Sequence, residues 1–399
     1  MKRPFYAICP LPAVLLAGVA LGCLTACNLF RQQDSLAVVV PEAVTQLQKG
    51  LPTVATHRAD GTILVNGQPF FPLGFYHVSW ARNGTPERRQ QDLSRLARAG
   101  FNFVITEGIN DLDAANFQPF LKQAQESGVF VMLYGLTPEN RRKISASPAL
   151  LGFKIADDAN AQLTPQQVEA RNEQFKKATP NKLTYLSLAV AQNRPETPYF
   201  STADLIGNQS YPIGNDDISV TYPMMRNAAQ SAYLTGTVPI ANLQSFLWGR
   251  RKPSPVELRN MTYQAIMAGM KGVVYYAYRA REVDLNQEPV MWSTLQGVAH
   301  EVSFLAPYLL SGELMPLQDG TGSQPLVVYL RGESQDGQKK GFVMALNSSR
   351  TADRLVNLKL PEPPTQWKPI STLGRTLNRR GLEISGRLRP LQVAIYEVK

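Results

Sequence analysis

Between residues 68 and 310, short β-rich runs alternate with amphipathic helical stretches, and this alternation constrains the fold more than any other feature of the chain. The runs fall at 73–78, 101–106, 129–133, 151–156, 183–190, 205–209, 238–243 and 272–278. Eight strands with helices between them predict a (β/α)8 barrel of the TIM type, and the span is close to the roughly 250 residues typical of that fold. Helix starts agree with the alternation. Thr85-Pro86, Thr164-Pro165 and Ser254-Pro255 each set an oxygen-bearing cap before a proline, whose missing N–H is no loss at the first helical position. Gln167 and Glu257 stand where a capping box needs them. Leu258, Met261, Ala265 and Ala268 share one helical face and read as packing against the barrel.

Two flanking units follow from the same reading. Residues 62–65, Asn66-Gly67 and 68–71 predict a hairpin with a type I′ turn ahead of the first barrel strand. From about residue 311 the helical period stops, and 325–330, 341–346, 354–360 and 392–398 read as strands of a small all-β, sandwich-like domain over 311–399. That domain braces the barrel or binds glycan; its sequence selects neither. The barrel itself is assigned to 56–310.

The N-terminus reads as an export signal. Lys2 and Arg3 precede the apolar run 13–24, which is too short to span a bilayer, and Leu24-Thr25-Ala26-Cys27 resembles the lipobox of bacterial lipoproteins. The expectation is a signal peptide over 1–26, lipidation at Cys27, and a tether over 27–55 that holds an exported body to a cell-envelope membrane. A competing weaker cleavage site precedes Cys23, and an uncleaved anchor is the alternative.

All three cysteines, Cys9, Cys23 and Cys27, lie in that leader, and His57, His77 and His300 are scattered, so no disulfide framework, metal site or cofactor is expected. Cleavage after residue 26 lowers the net charge from +10 to +8 by removing Lys2 and Arg3. That excess suits an anionic envelope surface or polysaccharide. With 18% charged residues and no long basic run, nucleic acid is not an expected partner. Oligomeric state is not legible.

Barrels of this class carry their chemistry on the loops after the strands. Those positions hold Tyr76, His77 and Trp80 after the first strand, Glu107 after the second, Tyr134 after the third and Asp157-Asp158 after the fourth. Gln209 and Tyr211 follow the sixth, Gln244, Phe246 and Trp248 the seventh, and Tyr276, Tyr278 and Glu282 the eighth. Together they predict an aromatic-lined cleft with two or three carboxylates. Such a mixture suits sugars, whose C–H faces lie on Trp and Tyr rings while their hydroxyls need amide and carboxylate partners. Glycosidic hydrolysis needs one carboxylic acid as proton donor and a second carboxylate as nucleophile or base.

The segment from Thr62 through Asn66-Gly67-Gln68-Pro69-Phe70 to Gly74 resembles the approach to the first strand in beta-galactosidase-like and related clan A glycoside hydrolases. Residues 151–160 resemble their fourth strand and 204–214 their sixth. The resemblance implies a sugar cleft with an acid/base glutamate after the fourth strand and a nucleophilic glutamate after the seventh. This chain departs from both, placing the shorter Asp158 at the first and Gln244 at the second, with Gln209 where the sixth strand usually offers an aspartate.

Two functional readings survive, with a third, architectural one behind them. In one, Asp158 is the general acid and Glu107 or Glu282 the second carboxylate. In the other, the cleft binds envelope glycan without cutting it. Structural uses compete for single residues: Asp157 as a rim ion-pair partner, Glu107 as a loop-helix cap, Glu282 as an ion-paired neighbour of Arg279, Arg281 and Asp284.

Overall fold

The computed structural model describes residues 39–77, 85–108, 117–189, 196–280, 283–334, 336–370 and 376–399. The described residues open with α1 (Glu42–Gln48) and a three-stranded antiparallel sheet of β1 (Ala55–His57), β2 (Ile63–Val65) and β3 (Gln68–Phe70). Asn66 and Gly67 both take positive φ, 51° and 79°, the type I′ geometry expected of an Asn-Gly hairpin.

Eight parallel strands follow: β4 (Leu73–His77), β5 (Phe103–Gly108), β6 (Phe130–Tyr134), β7 (Leu150–Ala156), β8 (Leu183–Leu188), β9 (Leu205–Ser210), β10 (Val238–Gln244) and β11 (Val273–Tyr276). They close into a barrel, with β11 pairing back to β4. Around it lie α2 (Pro86–Arg98), α3 (Phe117–Ser127), α4 (Pro138–Ile144), α5 (Ala159–Gln162), α6 (Pro165–Ala178), α7 (Thr221–Thr235), α8 (Pro255–Met267) and α9 (Pro289–Ser311). The three helix starts read from Pro-led caps form as expected. Thr85, Thr164 and Ser254 accept the N3 amide, and Gln167 and Glu257 complete capping boxes. Leu258, Met261, Ala265 and Ala268 are buried as predicted.

After a short ribbon of β12 (Arg279–Ala280) and β13 (Val283–Asp284), the chain builds two antiparallel sheets. One holds β14 (Glu313–Asp319), β15 (Leu326–Glu333), β16 (Lys339–Leu346), β18 (Trp367–Pro369) and β21 (Val393–Val398); the other holds β17 (Arg354–Lys359), β19 (Leu377–Arg380) and β20 (Glu383–Leu388). Both faces of β15 are buried, and the period-two alternation of a strand divides its side chains between two cores. Leu326, Val328 and Leu330 join the barrel's core, while Val327 and Tyr329 join a second core with Val356 and Ile384 from the smaller sheet. The five-stranded sheet is thereby fused to the barrel. Polar locks reinforce the junction: Arg259 on α8 pairs with Glu301 on α9 and donates to Val393 O, and Asn260 Nδ2 donates to Asn347 O and Leu391 O.

The tether expected over 27–55 is corrected from Pro41 onward. Ala43, Val44 and Leu47 share the inner face of α1 and are buried, and Ala55 N donates to Asn181 O, so this stretch packs on the barrel. Residues 27–38, Cys27 among them, lie outside the described residues.

On the wall next to β9, Asp204 gathers His57 Nε2 at 3.5 Å, Lys176 Nζ at 2.8 Å and the Thr184 amide at 2.9 Å. Burial pushes its carboxyl up, but these partners outweigh burial and hold it at about 2. A depressed carboxylate stabilises the fold above its unfolded pKa near 4, and the contribution is lost as pH falls through about 2. Asp204→Asn is therefore expected to cost about 2 kcal/mol at pH 7. In urea unfolding the gap between variant and wild type closes as pH is lowered from 4 toward 2.

Candidate active site

The floor of the site is built by the end of β7. In the run Leu150–Ala156 the single charged residue, Lys154, turns into the barrel and is only 3% exposed. Its Nζ stands 2.6 Å from Asp157 Oδ1, with the rings of Tyr76 and Tyr134 at 4.6 and 4.9 Å. Ser187 on β8 donates to the same Asp157 oxygen at 2.6 Å and accepts the Asp158 amide at 3.1 Å. Asp158 is held in left-handed backbone, φ 44° and ψ 47°, a conformation that disfavours a Cβ. Its carboxyl accepts a hydrogen bond from Gln209 Nε2 on β9.

Beneath lies a closed polar cluster. Tyr185 donates to Asn242 Oδ1 at 2.7 Å, Asn242 Nδ2 donates to Tyr76 Oη at 3.3 Å, and the two tyrosine hydroxyls meet at 3.1 Å. Gly207 makes room for it, since a Cβ there would lie 1.9 Å from Tyr185 Oη.

Above the floor, rings from the ends of four strands, β4, β9, β10 and β11, and the loops after them meet. Phe246 lies 5.1 Å from Tyr211, 5.0 Å from Tyr276 and 5.8 Å from Trp248, and Tyr276 lies 5.4 Å from Tyr76. Trp248 is 51% exposed on a tight turn bridged to Arg251. With the Asn215 amide oriented to satisfy its neighbours, its oxygen accepts from Trp248 Nε1 at 3.2 Å. The turn is anchored from behind: Arg251 pairs with Glu257, which also holds Arg350 of the C-terminal domain. Burial raises the Glu257 carboxyl, but Arg251, the Ser254 amide and Arg350 outweigh it and hold the group at about 2.

These walls enclose a cleft of about 510 Å³ lined by Tyr76, Asp157, Asp158, Gln209, Tyr211, Asn215, Asp216, Phe246, Trp248 and Tyr276 among others. Its two adjacent carboxyls are driven apart. Burial and the neighbouring Asp157 charge push Asp158 up, against the weaker pull of Gln209 and Lys154. Asp157 is also raised by burial, but the Lys154 ammonium and the hydrogen bonds of Lys154 and Ser187 leave it below the ordinary carboxylate range. Burial lowers Lys154 despite Asp157. A carboxyl whose pKa is raised beside one whose pKa is lowered is the arrangement that lets two carboxyls take different roles at one pH.

Of the residues expected at the site, Tyr76, Asp158, Gln209, Tyr211, Trp248 and Tyr276 line this cleft. Tyr134 and Glu107 are not among its lining residues; half-buried, they lie by Lys154, Tyr134 with its ring over the ammonium and Glu107 near enough for its charge to act on that ammonium. Two placements are corrected. Gln244 is fully buried, and its amide is consumed by Ile213 N, Ile213 O and Phe246 O, so it turns away from the cleft. Tyr278 does not share a face with Tyr276: the strand ends at Tyr276, and Tyr278 is buried against Phe75 and Trp292 with its hydroxyl donated to Asn286. His77 ends β4, but its side chain, like Trp80 and Glu282, lies outside the described residues. Sequence reasoning missed Lys154, Ser187, Asp216 and the Tyr185–Asn242 pair. A lone lysine inside the apolar run at 150–156 was the available signal.

No family model matches the sequence, and no curated protein matches it. Solved structures do resemble the fold. A glycoside hydrolase family 5 protein from Bacteroides vulgatus superposes with a TM-score of 0.59 at 12% identity, covering 91% of this chain and 95% of that one. An Anoxybacillus alpha-amylase superposes with a TM-score of 0.56 at 10% identity, covering 86% and 99%. The fold is glycoside hydrolase-like.

The left-handed backbone at Asp158 gives a direct stability test. Asp158→Gly and Asp158→Ala both remove the carboxyl, but only alanine keeps the Cβ that the conformation disfavours. The glycine variant is expected to be the more stable by about 1 kcal/mol in chemical unfolding; equal stabilities would show that the turn relaxes.

Proposed function

We propose that this chain is an exported, lipid-anchored glycoside hydrolase of the bacterial envelope that cleaves an oligo- or polysaccharide in the aromatic cleft. The observation that carries the reading is Asp158: a carboxyl raised by burial and by its ionised neighbour, locked in left-handed backbone, at the edge of a cleft walled by Tyr211, Phe246, Trp248 and Tyr276. A group in that state holds its proton to higher pH and delivers it to a leaving oxygen. The anchor rests on the lipobox-like Leu24-Thr25-Ala26-Cys27.

In this mechanism the sugar lies on the rings while Asp158, oriented by Gln209, gives its proton to the glycosidic oxygen as the bond to the anomeric carbon breaks. The base is Asp216, which lines the same cleft from the loop after β9, whereas Asp157 is occupied by Lys154 and Ser187. Asp216 accepts a proton from the water that attacks the anomeric carbon. Two carboxyls on separate loops suit an inverting reaction, which needs room for water between them. Asp216 takes this role ahead of Glu107, which lies toward Lys154.

A second reading, glycan binding without cleavage, is favoured by one observation: at the end of β10 the amide of Gln244 stands tied to backbone at the position where a retaining hydrolase would carry its nucleophilic carboxylate. One experiment separates the two. Hydrolysis of a panel of aryl glycosides and envelope polysaccharides is measured for wild type, Asp158→Asn and Trp248→Ala, with calorimetric binding of the same oligosaccharides. The hydrolase predicts a kcat loss of about 10²- to 10⁴-fold in Asp158→Asn and weaker binding in Trp248→Ala. Binding that depends on Trp248 with no turnover of any substrate would select the second reading.

A further inference from the structure

We infer that Lys154 is a positioning residue for Asp158: sealed inside the barrel, its ammonium clamps the Asp157 carboxylate and, through Asp157 and Ser187, holds the turn that presents Asp158 to the cleft. The inference rests on the reading of Asp158 as proton donor, and its geometry is independent of substrate. A lysine buried in a strand otherwise made of apolar residues loses its hydration, so it persists only where an anion and further contacts compensate. Here the compensation is Asp157 Oδ1 at 2.6 Å and the faces of Tyr76 and Tyr134.

The direction of the hydrogen-bond chain makes the clamp more than filler. Asp157 Oδ1 accepts from both Lys154 and Ser187, so the Ser187 proton is committed to Asp157 and its oxygen is left to accept the Asp158 amide. A protonated Asp157 could instead donate to Ser187 and turn the serine proton toward the Asp158 N–H, breaking the chain at the residue whose backbone is left-handed. The charge on Lys154 therefore keeps Asp157 an acceptor and fixes the direction of the Ser187–Asp157 bond, the one bond of the three whose donor can exchange. The titratable groups facing the ammonium are Asp157 and Asp158 from its own strand end, Glu107 from β5, Tyr76 from β4 and Tyr134 from β6. Asp157 is in direct contact with it, through the ion pair at 2.6 Å.

The test uses the full chain with carbon-13-labelled aspartate carboxyls. Wild type, Lys154→Met and Lys154→Arg are titrated by NMR, and kcat and KM are measured on any substrate that the wild type turns over. The clamp predicts that Lys154→Met raises the Asp157 midpoint by more than one pH unit. It also lowers kcat about 10- to 100-fold with KM unchanged within twofold, and Lys154→Arg recovers part of both. An Asp157 midpoint that stays low in Lys154→Met overturns the inference. Should Lys154→Met fail to fold, Ser187→Ala decides from the other side: the same upward move of Asp157 with a kcat loss supports the chain, and neither change overturns it. If the wild type hydrolyses nothing, the proton-donor reading fails while the Asp157 titration still decides the clamp.

Discussion

A cation enclosed by the barrel wall is the constraint on which the floor of the cleft depends. Barrels of this type are ordinarily filled by branched apolar side chains in layers. This one instead carries Lys154 and the Tyr76, Tyr185 and Asn242 cluster in its interior. An interior of that kind is stable only when its polar groups are paired, because each orphan would carry a full desolvation penalty. The pairing reaches outward in steps, from Lys154 to Asp157, to Ser187, to the Asp158 amide and, through the Asp158 carboxyl, to Gln209 across on β9. The geometry of the cleft edge is thus inherited from charge compensation beneath it.

The rim is stiffened from a different direction. Trp248 stands on a turn whose Arg251 is paired to Glu257, and Glu257 is shared with Arg350 from the loop between β16 and β17 of the C-terminal domain. Of the two uses read for the C-terminal domain, the structure supplies bracing: it shares the barrel's core through β15 and holds the helix that follows the Trp248 turn. A flat aromatic platform needs such support to keep its orientation when one face is open to solvent.

The barrel was legible because its signal is periodic and repeated eight times, with Pro-led caps marking the helix starts. The second domain was legible in outline, its strands at 325–330, 341–346, 354–360 and 392–398 among them, although β14, β18, β19 and β20 escaped, being short or largely exposed. Asp158, Gln209, Tyr211, Trp248 and Tyr276 were legible because strand ends in this architecture point to one rim. Gln244 and Tyr278 were misplaced for local reasons. The strand ends at Tyr276, so alternation no longer governs Tyr278, and an amide at a strand end found backbone partners rather than the cleft. Lys154 was hidden by its own neighbours, since a run such as 150–156 reads as a buried strand whatever its one polar residue does. Residues 42–48 read as tether because two prolines flank a short, weakly patterned helix.

The central claim is that a saccharide lies on the Tyr211, Phe246, Trp248 and Tyr276 rings with the Asp158 carboxyl at the linkage. A crystal structure of Asp158→Asn soaked with an oligosaccharide that the protein binds tests it most directly. The account predicts sugar density in the 510 Å³ cleft, with the glycosidic oxygen within hydrogen-bonding distance of the amide that replaces the Asp158 carboxyl, and Asp216 on the far side of the anomeric carbon. Sugar bound elsewhere on the protein, or a cleft that stays filled by its own side chains, would contradict it.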